Sequence, residues 1–115
     1  MRYLLMLCTD EVAYEALSPE EAQANFAGYM KFQEEAAARG ALIGGERLRT
    51  TDTATTVEVR NGEVLTSDGP FAETKEQVGG YYLLDCKDLD EAIELAAKIP
   101  AASHGKVEVR PIWEM

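Results

Sequence analysis

Ten consecutive residues, Asp68-Gly69-Pro70-Phe71-Ala72-Glu73-Thr74-Lys75-Glu76-Gln77, concentrate the chemistry of this chain. Six of the ten carry a charge, a hydroxyl or an amide, gathered around one aromatic ring. Neither a two-residue nor a 3.6-residue period runs through them, so an irregular loop is expected. A carboxylate such as Asp68, placed at a strand end, can act as a general base or orient a histidine. Asp-Gly-Pro is also ordinary turn chemistry: Asp caps its turn, Gly supplies positive φ and Pro fixes its own. His104 is the only imidazole, so any histidine proton transfer near neutral pH must use it. Tyr29, on a helix, is the third acid–base candidate, giving a catalytic set of Asp68, His104 and Tyr29. Phe71, Thr74, Lys75, Tyr81 and Arg47 are the candidates for holding a substrate. Arg47, Arg49 and Arg110 are the anchors an anionic ligand would find inside an acidic shell.

Other chemistries find no support. No Ser or Cys sits in a nucleophile elbow. Gly44-Gly45 lacks both the spacing of a phosphate loop and the helix that would follow it. Cys8 and Cys86 lie 78 positions apart without a Cys or His at metal-ligand spacing, so buried free thiols are expected, and no metal or organic cofactor is indicated. The chain has 115 residues with 11 basic against 21 acidic side chains, a net charge of −10. Nucleic-acid binding is therefore not expected, because phosphate neutralisation needs a basic face. Anionic membrane surfaces are disfavoured for the same reason. The longest apolar run, Tyr3–Cys8, is six residues, against roughly 20 for a membrane helix and about 7–15 for a secretory signal. A cytoplasmic location is the expectation.

The elements that must position these residues follow from periodicity and capping. Residues 2–8 form an apolar run of strand length, and a brief helical turn is expected over 12–17. Ser18-Pro19-Glu20-Glu21 is a helix start with a capping box and Pro at the first position. The helix over 19–39 is expected to bury Ala22, Phe26, Tyr29, Met30 and Ala37, and Gly40 suits its left-handed end. A second strand begins at Ala41 and continues to Thr50. The paired glycines inside it suggest a bulge or a close backbone approach. Thr53–Arg60 and Glu63–Ser67 flank Asn61-Gly62, the dipeptide of a tight hairpin. Gly80–Cys86 reads as a strand, Asp88 caps a second helix with Leu89, Ala92, Ile93, Ala96 and Ala97 on one face, and Lys106–Met115 reads as the last strand.

The order β-α-β, hairpin, β-α-β, with right-handed crossovers, predicts a single ferredoxin-like α+β domain over 1–115 with an inserted β-hairpin. One sheet with both helices on one face leaves the other bare. Tyr3, Leu5, Tyr82, Leu84, Val107 and Val109 are expected on that face, and a second copy, packed sheet to sheet, is the simplest cover.

The run Asp68–Gln77, followed by Gly79-Gly80-Tyr81-Tyr82-Leu83-Leu84-Asp85, strongly resembles the signature of the YCII-related family in its D-G-P-F-A-E-T-K-E branch. Gly44-Gly45-Glu46-x-Leu48, Asp88–Ala92 and Val107–Pro111 extend the resemblance over essentially the whole chain. It implies a dimeric α/β barrel built from ferredoxin-like halves. The wider family resembles small isomerases, decarboxylases and dehydrochlorinases in which a His and Asp pair does acid/base work between helices and sheet. Asp68 matches that aspartate. The family's helix histidine has no counterpart, since the helix offers Tyr29 and Gln33 instead. The expectation is an acid/base enzyme acting on a small cyclic or aromatic compound. The alternative is a non-catalytic ligand-binding or regulatory protein paired with an extracytoplasmic-function sigma factor, because many members of this branch are encoded beside one. The charge of −10 would suit docking to a basic partner.

Overall fold

A computed structural model describes residues 1–115. The elements are β1 (Arg2–Thr9), α1 (Glu11–Glu15), α2 (Pro19–Ala38), β2 (Leu42–Arg47), β3 (Thr55–Arg60), β4 (Glu63–Asp68), β5 (Gln77–Asp85), α3 (Leu89–Ala96), α4 (Ala101–His104) and β6 (Lys106–Pro111). Four strands make one antiparallel sheet in the order β2-β5-β1-β6. This is a mixed α+β protein whose strand order is compatible with a ferredoxin-like arrangement. The hairpin β3–β4 forms a separate two-stranded sheet.

Local chemistry starts and stops these elements as the side chains dictate. Ser18 and Glu21 close a reciprocal capping box at α2, and Asp88 caps α3 through the Glu91 amide at 2.9 Å. Asn61 and Gly62 turn the hairpin with φ of 50° and 79°, as a type I′ turn requires. Both crossing helices lie on one face of the sheet. There Tyr3, Leu5 and Leu7 of β1 and Tyr82 and Leu84 of β5 meet Phe32 and Ala36 of α2 and Ala92, Leu95 and Ile99 of the α3 region. Completely burying each large apolar side chain stabilises the fold by roughly 1.5–3 kcal/mol. Phe32 and Tyr82 add a tilted ring pair with centroids 4.8 Å apart.

Several sequence expectations need correction. Tyr3, Leu5, Tyr82 and Leu84 are buried under the helices, with Val107 and Val109 packed against them; the bare face instead carries Leu4, Met6, Tyr81 and Leu83, where Leu4 opposes Leu83 and Met6 opposes Tyr81. The alternation of β1 is apolar on both faces, so it could not decide which set goes inward. Cys86 is buried as expected, whereas Cys8 faces outward and is only half-buried. Helix α2 buries Asn25, Phe32 and Ala36, leaving Phe26 and Met30 exposed. Helix α3 buries Ala92, Leu95 and Ala96, leaving Leu89 and Ile93 exposed. The second strand stops at Arg47 and the last at Pro111, while residues 51–53 form a 3-10 turn before β3. His104 ends a one-turn helix rather than lying in an open loop.

The molecule is a slab 17 Å thick and 48 by 44 Å across, with a radius of gyration of 16.0 Å. A compact chain of this length would have about 13 Å. The excess reflects the hairpin, whose Val57, Val59 and Val64 are all more than 60% exposed.

Gly105 allows α4 to press against β1. A Cβ there would stand 2.1 Å from the Cys8 carbonyl oxygen, where neither partner can yield. Gly105→Ala should therefore destabilise the chain by about 2 kcal/mol or more, as overpacking does. In thermal unfolding that corresponds to a fall in Tm of about 8 °C or more, and an unchanged Tm would contradict this packing.

Candidate active site

A cleft of 470 Å³ opens at the β2 edge of the sheet, walled by α1, α2, β2 and the start of β5. Its floor is made by Tyr82. No side chain at Gly45 separates β2 from that ring, since a Cβ would lie 2.5 Å from Tyr82 Cδ1 and 2.6 Å from the Tyr81 carbonyl oxygen. Gln33 Nε2 donates to Tyr82 Oη at 2.7 Å. That bond leaves the Tyr82 proton available to a guest. Phe26 and Met30, the apolar residues of α2 that miss the core, line the cleft together with Leu48 and Tyr14.

Tyr29 stands in the same cleft. Burial, with Tyr82 and Tyr14 nearby, pushes its phenol up to about 12, while the Ala101 amide and Arg47 pull weakly the other way. At neutral pH Tyr29 is therefore a proton donor, suited to meet negative charge as it develops and unsuited to act as a base.

Two cations, Arg47 and Arg49, and three carboxylates, Glu11, Glu15 and Glu46, complete the cleft. Arg2, Arg39, Arg60 and Arg110 are paired with carboxylates. Arg47 and Arg49, which line the cleft, make no such pair; Arg47 lies 5.3 Å from the Tyr14 ring centroid, within cation–π range. Glu11, on the same wall, is committed elsewhere. Its carboxylate accepts from the Thr51 amide at 2.8 Å and the Thr51 hydroxyl at 2.9 Å, tying α1 to the turn that launches the hairpin.

A smaller cavity of 120 Å³ lies behind Tyr29, shared with Tyr14, Asn25 and His104. Thus Tyr29 borders both spaces, and His104 reaches only the smaller. Of the residues nominated by sequence, Tyr29, Arg47 and Tyr81 share the cleft. Asp68 is exposed at the end of β4, opposite Thr55. Phe71 is 92% exposed, and Thr74 and Lys75 are exposed beside it. None of these four lines either cavity of its own chain. The loop that carries them is nevertheless ordered, because Gln77 Nε2 donates to the carbonyls of Ala72 and Thr74 at 2.9 and 3.0 Å. Tyr14, Phe26 and Gln33 were not nominated; the available signal was Gly44-Gly45, which implied a close backbone approach in that strand.

An antiparallel sheet with helices on one face, a tyrosine-lined cleft at its edge and two arginines without ion pairs describe a small α+β protein with an open cleft. The YCII-related domain model matches residues 1–115, and the chain belongs to that family. It is 40% identical over 114 residues to an uncharacterised protein of Rhizobium meliloti (strain 1021), covering 97% of this chain and 92% of the relative. No helix is long and apolar enough to cross a membrane.

The sign of the Tyr29 shift sets a pH dependence. Its folded value lies above the ordinary phenol value of 10.0, so the stability linked to it is complete below about pH 10 and is lost as pH rises towards 12. In an absorbance titration of phenolate, the difference between wild type and Tyr29→Phe should be a group ionising near pH 12. A missing group near pH 10 would show that Tyr29 is solvated.

Proposed function

We propose that this protein is an acid/base enzyme whose cleft takes a small cyclic or aromatic anion. The observation that carries the reading is a protonated Tyr29 in an aromatic cleft beside two guanidiniums without carboxylate partners. The ring of the substrate lies against the tyrosines, and its carboxylate meets Arg47 and Arg49. Tyr29 donates to the oxygen on which charge develops as a neighbouring C–H gives its proton to a carboxylate such as Glu15, which lines the cleft. Return of that proton at a second carbon completes an isomerisation. His104, across the smaller cavity, is placed to exchange protons between Tyr29 and solvent through intervening water.

The working unit in this reading is a homodimer, a ferredoxin-like dimeric α/β barrel formed when two sheets meet by their outward faces. Leu4, Met6, Tyr81 and Leu83 supply an apolar strip there. Around it, Arg2, Lys106 and Arg110 stand against Glu46, Asp85 and Glu108, a charge of 3 − 3 = 0 in a chain of net −10. Two copies meet at this face without bringing like charge together.

A second reading, a regulatory ligand-binding protein that docks to a sigma factor, is favoured by the absence of any imidazole from the large cleft. Turnover separates the two.

Calorimetry against a panel of small aromatic and alicyclic carboxylates should find binding that Arg47→Gln weakens about tenfold or more, as expected for loss of a charged hydrogen bond. The amide of the best ligand should bind more weakly than the acid, and equal binding would remove the anion from the proposal. With a turned-over substrate, Tyr29→Phe should lower kcat by about 10²–10⁴ and leave Kd within a few-fold. If every bound ligand is returned unchanged, the regulatory reading stands instead.

The dimer has its own test. Met6→Glu on the outward face should shift sedimentation equilibrium towards monomer while leaving the circular dichroism spectrum intact. A wild-type chain that is monomeric, or a Met6→Glu chain that still dimerises fully, would refute sheet-to-sheet pairing.

A further inference from the structure

The cleft and the loop richest in chemistry are separated within one chain, yet each lacks what the other has. The cleft mouth at the β2 edge leaves Phe26, Met30 and Leu48 between 42% and 64% exposed. It also holds Arg47 and Arg49 without carboxylate partners. The hairpin and its following loop present the opposite set. Val57, Val59 and Val64 share one bare face of the hairpin, Phe71 stands almost fully in solvent, and Asp68 and Glu73 are carboxylates without an ion pair.

An isolated two-stranded hairpin is marginal in water unless it packs against something. Nothing in its own chain covers this one. The Glu11–Thr51 clasp fixes the turn from which it departs, and no residue of the hairpin lines the cleft of its own chain. An ordered loop that displays a bare phenylalanine has the form of an interface anchor. The matching pocket and the unpaired cations are on this same sequence.

We infer that the β3–β4 hairpin is an exchanged arm: in the dimer it laps over the partner, seats Phe71 at the mouth of the partner's cleft, and brings Asp68 and Glu73 to its rim, where they flank the arginines that hold the ligand's carboxylate. Each working site then contains Tyr29, Gln33 and Tyr82 from one copy and Asp68 from the other. The exchange is two-fold symmetric, as isologous dimers require, and buries the bare face of both hairpins. It gives Asp68 the task expected of a strand-end carboxylate, opposite the protonated Tyr29, and closes the open side of the cleft against water. It rests on the reading of the cleft as the ligand site.

Two chains that each carry one exposed cysteine test this directly. Cys8→Ser removes the half-exposed thiol, and the buried Cys86 stays. In that background Phe71→Cys marks the arm and Leu48→Cys marks the cleft mouth; both positions are exposed, so neither change threatens the fold. The two chains, one carrying a mass tag, are co-expressed and treated with a short bismaleimide. A covalent heterodimer from the mixture, absent or at least tenfold weaker from either chain alone, is the expected result. Dimers in sedimentation without a covalent heterodimer would overturn the arm exchange, as would a monomeric chain. Retention of carboxylate binding in that case would leave the proposed cleft chemistry standing, whereas loss of ligand binding with cross-linking intact would remove the chemistry and keep the arm.

Discussion

Tyr82 is the side chain through which the core and the cleft become one structure. Its ring packs against Phe32 on one side and lies over the bare backbone of Gly45 on the other, while Gln33 holds its hydroxyl from α2. The hydroxyl needs a partner because burial without one would cost about 1–3 kcal/mol. Gln33 supplies it from the helix turn that follows Phe32, so the residue that packs the ring and the residue that fixes its oxygen are neighbours in sequence. The same ring therefore sets the distance between α2 and the sheet and floors the cleft. Tyr29, one turn earlier on α2, takes its position from that spacing, and its elevated ionisation range follows from the burial thus imposed.

A slab one helix and one sheet thick has a second constraint. The apolar area of β1 and β5 is two-sided, and only one side meets the helices. Leu4, Met6, Tyr81 and Leu83 are half-buried by each other, which is as much cover as a single layer allows. The hairpin is more extreme, with valines on a ribbon that has no layer beneath it. Apolar surface of this extent marks contact sites in folded proteins. In the proposed dimer a second copy covers both surfaces, and the near-neutral charge of the outward sheet face removes the electrostatic objection that an acidic chain would otherwise raise.

How much of this was legible in the sequence depends on which physical signal each residue carried. Caps and turns were readable in detail: Ser18 with Glu21, Asp88 with Glu91, and Asn61-Gly62 all act where the local rules place them. The order of elements and the family were readable too, the latter from the ten-residue loop. Faces were harder. Leu5 and Leu4 are equally apolar, so alternation could not say which lies beneath the helices, and only the pairing with β5 and β6 decides. In α2, Phe26 and Met30 imitate a core stripe because the cleft, like the core, is lined with apolar groups. The cleft residues Tyr14 and Gln33 left no local signature, since their roles arise from contacts 33 and 49 positions away along the chain, to Arg47 and Tyr82. Asp68 was nominated by its loop, but its own chain gives it neither of the two cavities described.

The acidity of the chain finally bears on what the cleft can select. Ten excess negative charges repel an approaching anion over a range set by screening, about 8 Å at physiological salt. Much of that charge serves local ends, with Asp10, Glu20, Glu21, Asp90 and Glu91 at helix starts, where carboxylates complement the helix dipole. Within the cleft, Arg47 and Arg49 stand among Glu11, Glu15 and Glu46, so the lining is not basic as a whole, but the two guanidiniums are left without ion pairs while four other arginines are paired. In the proposed reading an anion gains from those guanidiniums only after it has come close enough to shed water. Small hydrophilic anions would pay the long-range repulsion and then lose hydration against the tyrosines. A planar anion with an apolar body recovers its desolvation cost on Tyr14, Tyr29 and Tyr82 and then meets the guanidiniums at short range. In the proposed reading, an acidic surface around an aromatic cleft with two unpaired guanidiniums therefore selects for shape and apolar area first and for charge second.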